Sequence, residues 1–167
     1  MIERTLTPLK NHSYFLFGPR QTGKSTFVRA VAQEKDLYIN LLPQRNFLTY
    51  AKDPGVFRQE IIAHFQKAKS FKCIVDEIQK IPALLDEIHD LIESYGIEFI
   101  LTGSSARKLK RGAANLLAGR AYTYHLYPLT YEELGNNFNL DRFLLRGALP
   151  YLWSHNIEQR EEEEFLR

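Results

Sequence analysis

The chain has a single cysteine, Cys73, so no disulfide can form within it and packing must hold the fold. Cys73 lies inside an apolar run, which reads as a buried structural thiol rather than a nucleophile, and such sparse cysteine usage suits a reducing cytosol. No apolar stretch approaches the length of a membrane span, and Met1-Ile2-Glu3-Arg4 lacks the basic-then-apolar pattern of a secretion signal. The expected location is the cytoplasm, with no membrane partner. Charge of neither sign dominates: 22 Lys and Arg stand against 20 Asp and Glu, a net of +2, so the global balance gives no argument for nucleic acid. The five histidines form no pair at helical or ligand spacing, which argues against a histidine-built transition-metal site. Internal repeats and low-complexity linkers are also missing. What remains is a chain of 167 residues, 44% of them aliphatic or aromatic, enough for one globular core.

One segment carries chemistry. Gly18-Pro19-Arg20-Gln21-Thr22-Gly23-Lys24-Ser25 fits G-x-x-x-x-G-K-[ST] at every fixed position, with an apolar strand pattern before it (14–17) and a helical one after it (26–33). A strand, a glycine turn and a helix start gather backbone N–H groups around one point, where a polyphosphate can sit at the positive end of the helix. Lys24 would reach the β- and γ-phosphates and the Ser25 hydroxyl would hold Mg²⁺. The expected nucleotide-contacting residues are Gly18, Pro19, Arg20, Gln21, Thr22, Gly23, Lys24, Ser25 and Thr26. No Asn-Lys-x-Asp segment for reading guanine is present, which favours ATP.

Downstream, the pattern predicts strands over 37–41, 72–76, 97–101 and 121–126. It predicts helices over about 56–68 after the turn Asp53-Pro54-Gly55, from Pro82 to about 94, and over 104–117. Apolar strands alternating with helices indicate a parallel sheet covered on both faces, an α/β three-layer fold. From Pro128 onward only helices are expected. Thr130-Tyr131-Glu132-Glu133 has the spacing of a capping box, Asp141 is a candidate cap for the next helix, and 158–167 is a charged helix candidate. Residues 1–128 therefore read as the core, and 129–167 as the start of a helical lid that is cut short.

The strand over 72–76 ends in two acids. Asp76 would hold the Mg²⁺ shell through water, and Glu77 would act as general base toward the attacking water. The competing reading is a helix start, where acids also gather. The strand over 97–101 runs into Thr102-Gly103-Ser104, polar groups at the carboxyl end of a strand, where ligands bind in open α/β sheets. Thr102 or Ser104 could touch the γ-phosphate or position the water; Ser104 could equally cap the next helix.

Together these residues resemble the AAA+ ATPase superfamily. More narrowly, Gly18 to Thr26, Val75-Asp76-Glu77-Ile78-Gln79, Leu101 to Ser105 and Leu126 to Leu134 resemble a prokaryotic family of ATPases. Its members carry a C-terminal domain of unknown function, often restriction-endonuclease-like. Gly147-Ala148-Leu149-Pro150 is similar to that family's Gly-Gly-x-Pro segment, with Ala148 as a departure. The resemblance covers nearly the whole chain and implies an ATPase with strand order 5-1-4-3-2. It also implies a C-terminal domain that this chain lacks. It marks Arg120, after Leu117-Ala118-Gly119, as the place where such proteins present an arginine to a neighbouring subunit's γ-phosphate, and so a homo-oligomer; the competing reading is an arginine that starts the strand and pairs with a surface acid. Arg142 and Arg146 lie where such lids place a phosphate-sensing arginine.

The cluster Arg107, Lys108, Lys110 and Arg111 reads either as a nucleic-acid contact or as a solvated or protein-facing surface. Two other function classes compete with Mg²⁺-dependent ATP hydrolysis. One is a nucleotide-gated module that binds nucleic acid or protein without turnover; the other is a P-loop kinase acting on a small molecule.

Overall fold

The structure is a computed structural model and describes residues 2–104, 109 and 117–154. The expected helices over 104–117 and 158–167, and the basic cluster Arg107 to Arg111, lie outside the described residues apart from isolated positions. Five strands form one parallel sheet: β1 (Ser13–Phe17), β2 (Leu37–Asn40), β3 (Lys72–Asp76), β4 (Glu98–Gly103) and β5 (Ala121–His125). Their order is β2-β3-β4-β1-β5, the order that the resemblance implied.

Because side chains alternate across a strand, each strand serves two cores. Phe15, Phe17, Cys73, Val75, Phe99 and Leu101 face α2 (Gln44–Lys52), α3 (Pro54–Lys67) and α4 (Leu84–Tyr95). Tyr14, Leu16, Ile74 and Ile100 face Phe27 and Val28 of α1 (Lys24–Val31). The three layers follow from that alternation. Cys73 is fully buried, and burial raises its thiol well above the usual range, which suits the structural role.

Helix boundaries differ from expectation in instructive ways. The signal Asp53-Pro54-Gly55 is the start of α3 itself: Asp53 caps it by accepting from Gly55 N–H at 2.9 Å, and Pro54 sits in the first turn where its missing N–H costs nothing. The unexpected α2 has Pro43 at its cap position, no capping side chain and Tyr50 as its buried residue, so neither cap nor stripe announced it.

Beyond β5 come the short helices α5 (Tyr131–Leu134), α6 (Leu140–Arg146) and α7 (Pro150–Ser154). The Thr130–Glu133 capping box forms as expected. Asn139, not Asp141, caps α6: its Oδ1 accepts from Arg142 N–H at 2.8 Å, which leaves Asp141 in the first turn, where its charge still favours the helix dipole. At the C-terminal end of the described chain, Tyr151 is exposed. Leu152 is buried, and Trp153 lies 4.6 Å under the Arg142 guanidinium while donating to Gly147 O.

The segment before β1 is anchored by Arg4. Its guanidinium donates to Glu133 Oε1 at 2.9 Å, to Thr22 O at 2.8 Å and to Tyr127 O at 2.6 Å. One side chain thus joins the N-terminal arm, the glycine-rich loop and the cap of α5. Burial alone would raise the Glu133 carboxyl, but bonds from Arg4, Thr130 N–H and Thr5 N–H, with the Arg4 charge, outweigh it and hold the group below its ordinary value. A carboxyl depressed in the folded state stabilises the fold above its unfolded value, about 4.3, and that contribution is lost as pH falls through the folded value. Urea unfolding measured across pH should therefore show the native chain losing stability more steeply below about pH 4.3 than Glu133→Gln, which should be the less stable of the two at pH 7.

Candidate nucleotide site

The loop between β1 and α1 crosses into the helix through Gly23 at φ 86, in the left-handed region that a glycine enters without strain. No side chain caps α1 and no acid occupies its first turn. Its N-terminal N–H groups and the positive end of its dipole are therefore unopposed, the condition for holding an anion. Lys24 is 6% exposed, and its ammonium donates to Gly18 O at 2.9 Å and Pro19 O at 2.7 Å. Burial lowers its pKa; the charges of Glu77 and Asp76 work against that, and Arg20 adds to it. Both acids lie near enough for their charges to act on the lysine.

Arg20, Gln21, Gly23, Lys24, Ser25, Thr26 and Glu77 line one open groove of about 1690 Å³, which also runs along the N-terminal arm and past Pro150. Thr22 faces inward, fully buried, with its hydroxyl on Pro19 O at 2.9 Å, so its side chain braces the loop.

Asp76 ends β3 at 1% exposure, and both of its oxygens accept hydroxyls. Thr102 Oγ1, from the end of β4, donates to Oδ1; the Tyr38 phenol, from β2, donates to Oδ2 at 2.5 Å. Burial, with the bond to and the charge of Asp76, pushes the Tyr38 phenol up to about 12, which keeps it protonated and donating. Thr102 Oγ1 also accepts from Glu77 N–H at 3.2 Å, and Glu77 stands at φ 65, a left-handed backbone that turns the chain sharply after the strand. Ser104 is reached through Gln79, whose amide nitrogen lies 3.2 Å from Ser104 Oγ.

Five of the expected residues, Lys24, Asp76, Glu77, Thr102 and Ser104, thus meet at the carboxyl ends of β1, β3 and β4. Arg120 does not join them. It precedes β5 and lies at the opposite end of the sheet, roughly 16 Å away by strand rise, where it pairs with Glu93. The carboxyls of Asp76 and Glu77, the Ser25 hydroxyl and a phosphate are hard oxygen donors of the kind Mg²⁺ takes. Among the described residues no cluster of three or more His, Cys, Asp or Glu could hold a metal.

Residues 10–135 match the family described as AAA domain, a span that includes every residue of this constellation. The chain belongs to the AAA domain family. An uncharacterised protein of Haemophilus influenzae is 28% identical over 134 residues, 74% of this chain and 33% of that protein, so the chain spans about a third of its relative's length. The Aeropyrum pernix ORC1 protein, solved in complex with DNA, superposes with a TM-score of 0.56 at 14% identity, covering 84% of this chain and 49% of that one. That likeness shows the fold: a parallel five-stranded sheet between two helical layers. Among the described residues no helix of this AAA domain is long and apolar enough to cross a membrane.

Sequence reasoning missed Arg4, Tyr38 and Gln79. Each acts over a distance or through a bond that no local pattern encodes. Tyr38→Phe should cost about 1–3 kcal/mol in urea unfolding, because it strands a lone pair of a buried carboxylate. A change below ~0.5 kcal/mol would mean that Asp76 does not depend on that phenol.

Proposed function

We propose that this AAA domain binds ATP with Mg²⁺ and hydrolyses it, driving a conformational task in a larger protein. The observation that carries the reading is the uncapped start of α1, with Lys24 in its first turn and with Ser25 and Glu77 lining the same groove. A cation and an acid in one groove, with the buried Asp76 one residue before that acid, suit a phosphoanion, its metal and a water. In this reading the α1 N–H groups and Lys24 hold the phosphates. Ser25 and Asp76 serve the ion, which supplies charge neutralisation at the phosphates. Thr102 orients Asp76, and Glu77 accepts the proton of the attacking water.

Glu77→Gln should keep ATP affinity while lowering turnover by ~10²-fold or more. Lys24→Ala should lose most nucleotide affinity, and it should also lose some stability, since two loop carbonyls lose their donor. Isothermal titration and phosphate release measure both. Equal turnover in Glu77→Gln and the unmutated chain would remove Glu77 from the chemistry. Tight ATP binding without any turnover would favour the nucleotide-gated binding module instead, and phosphate release that requires an added acceptor would favour a kinase.

Arg120 serves this reading in trans. A guanidinium at the far end of the sheet cannot meet its own subunit's γ-phosphate, and its ion pair with exposed Glu93 is one that solvent weakens readily. Turnover per subunit should then rise with protein concentration. Mixing Arg120→Ala with Lys24→Ala should restore part of the activity, because an intact groove can meet an intact arginine. No rescue between two variants shown to assemble would overturn the trans role.

A further inference from the structure

Glu77 and Ser104 sit at the ends of adjacent strands, and one side chain joins them. The Gln79 amide nitrogen donates one hydrogen to Glu77 Oε2 and directs the other at Ser104 Oγ, 3.2 Å away. Its Oε1 is buried with no partner among the described residues. The opposite amide orientation would set Oε1 against a carboxylate that can only accept, so the bond to Glu77 fixes the assignment. The space is made by Gly103: a Cβ there would lie 2.5 Å from Gln79 Oε1 and 3.2 Å from the Phe17 ring. A left-handed backbone at Glu77, an orphaned amide oxygen and a glycine at the end of β4 are three costs in one place. All three are incurred by the geometry that puts this amide between the two groups. Lysine or arginine at position 79 would neutralise the base, and an acid would repel it. A neutral donor holds one carboxylate oxygen and leaves the other basic.

We propose that Gln79 is a positioning residue for hydrolysis, which locks Glu77 and Ser104 into one unit so that a single carboxylate oxygen, Oε1 of Glu77, faces the attacking water. The inference rests on the ATPase reading above. In the step it serves, the water oxygen bonds to the γ-phosphorus while the bond from that phosphorus to the β–γ bridging oxygen breaks. ADP leaves with the electron pair and the water's proton passes to Glu77 Oε1. Gln79 is unchanged throughout, and its contribution is orientation of the base.

The test is Gln79→Met, close in size and without a donor, assayed beside Glu77→Gln and the unmutated chain. Turnover of Gln79→Met should fall ~10-fold or more through misplacement of the base, while ATP affinity and the thermal midpoint stay unchanged. The bond is also read without turnover: the Gln79 side-chain amide resonances should shift on Glu77→Gln in the nucleotide-free chain. Normal turnover in Gln79→Met, against a dead Glu77→Gln, overturns the role of Gln79 and leaves the ATPase reading standing, as do Gln79 amide resonances that do not respond to Glu77→Gln. Loss of ATP affinity or of thermal stability in Gln79→Met overturns it in favour of a structural role. Full turnover in Glu77→Gln removes Glu77 as the base and overturns this inference with it, while absence of turnover in the unmutated chain overturns the ATPase reading and this inference together.

Discussion

A carboxylate held out of water at the end of a central strand is the constraint on which the rest of the site depends. Asp76 is 1% exposed, and an isolated ionised carboxylate at that depth would cost several kcal/mol. The cost is offset by two hydroxyls from the strands on either side, Tyr38 from β2 and Thr102 from β4. Both can reach it only while Asn40 pairs with Asp76 and Val75 pairs with Leu101 in parallel register. A slip of one residue would turn Asp76 into the other core, among Phe99, Leu101 and the aliphatic face of α4. The register that satisfies one polar group therefore also sets where Glu77 leaves the strand and where Lys24 finds its opposite charges.

Order at the rim of the groove comes from a second long-range device. Arg4 holds a loop carbonyl, a carbonyl after β5 and the capping glutamate of α5 at once, so the phosphate-binding loop and the first helix beyond the sheet share one anchor. Glu133 in turn closes its own cap on Thr130 N–H. A loop fixed at Thr22 O presents its neighbouring N–H groups in a set direction, which is what preorganised anion binding requires. Movement of the α5 segment and movement of the loop are linked through this one guanidinium.

The parts of this architecture that were legible in the sequence are those written locally. The glycine-rich loop, the apolar strand ending in Asp76-Glu77, the polar end of β4 and the capping box are runs of neighbouring residues whose chemistry and spacing mark their places in the fold. The alternation of strand and helix gave the layers. The less legible parts are those made by the fold. Arg4 and Glu133 are 129 residues apart, Tyr38 and Asp76 are 38 apart, and no period links either pair. Helix α2 escaped because its burial rests on Tyr50 and its cap carries no capping side chain. The cap of α6 was misassigned because Asn139 and Asp141 are both good caps, and only the backbone, extended at φ −136 and ψ 120 at Asn139, decides between them. Gln79 lay in plain sight within a motif, but its bond to Glu77 and Ser104 needs the turn that Glu77 makes at positive φ.

The roles given to Lys24, Ser25 and Asp76 depend on whether this groove takes a metal-bound nucleotide. Calorimetric titration of the chain with ATP, with Mg²⁺ and then with the ion chelated, measures that directly. The account predicts saturable binding of one ATP per chain that is tighter with Mg²⁺ than without it. No binding at millimolar ATP, or binding indifferent to the ion, would contradict the roles given to Lys24 and Asp76.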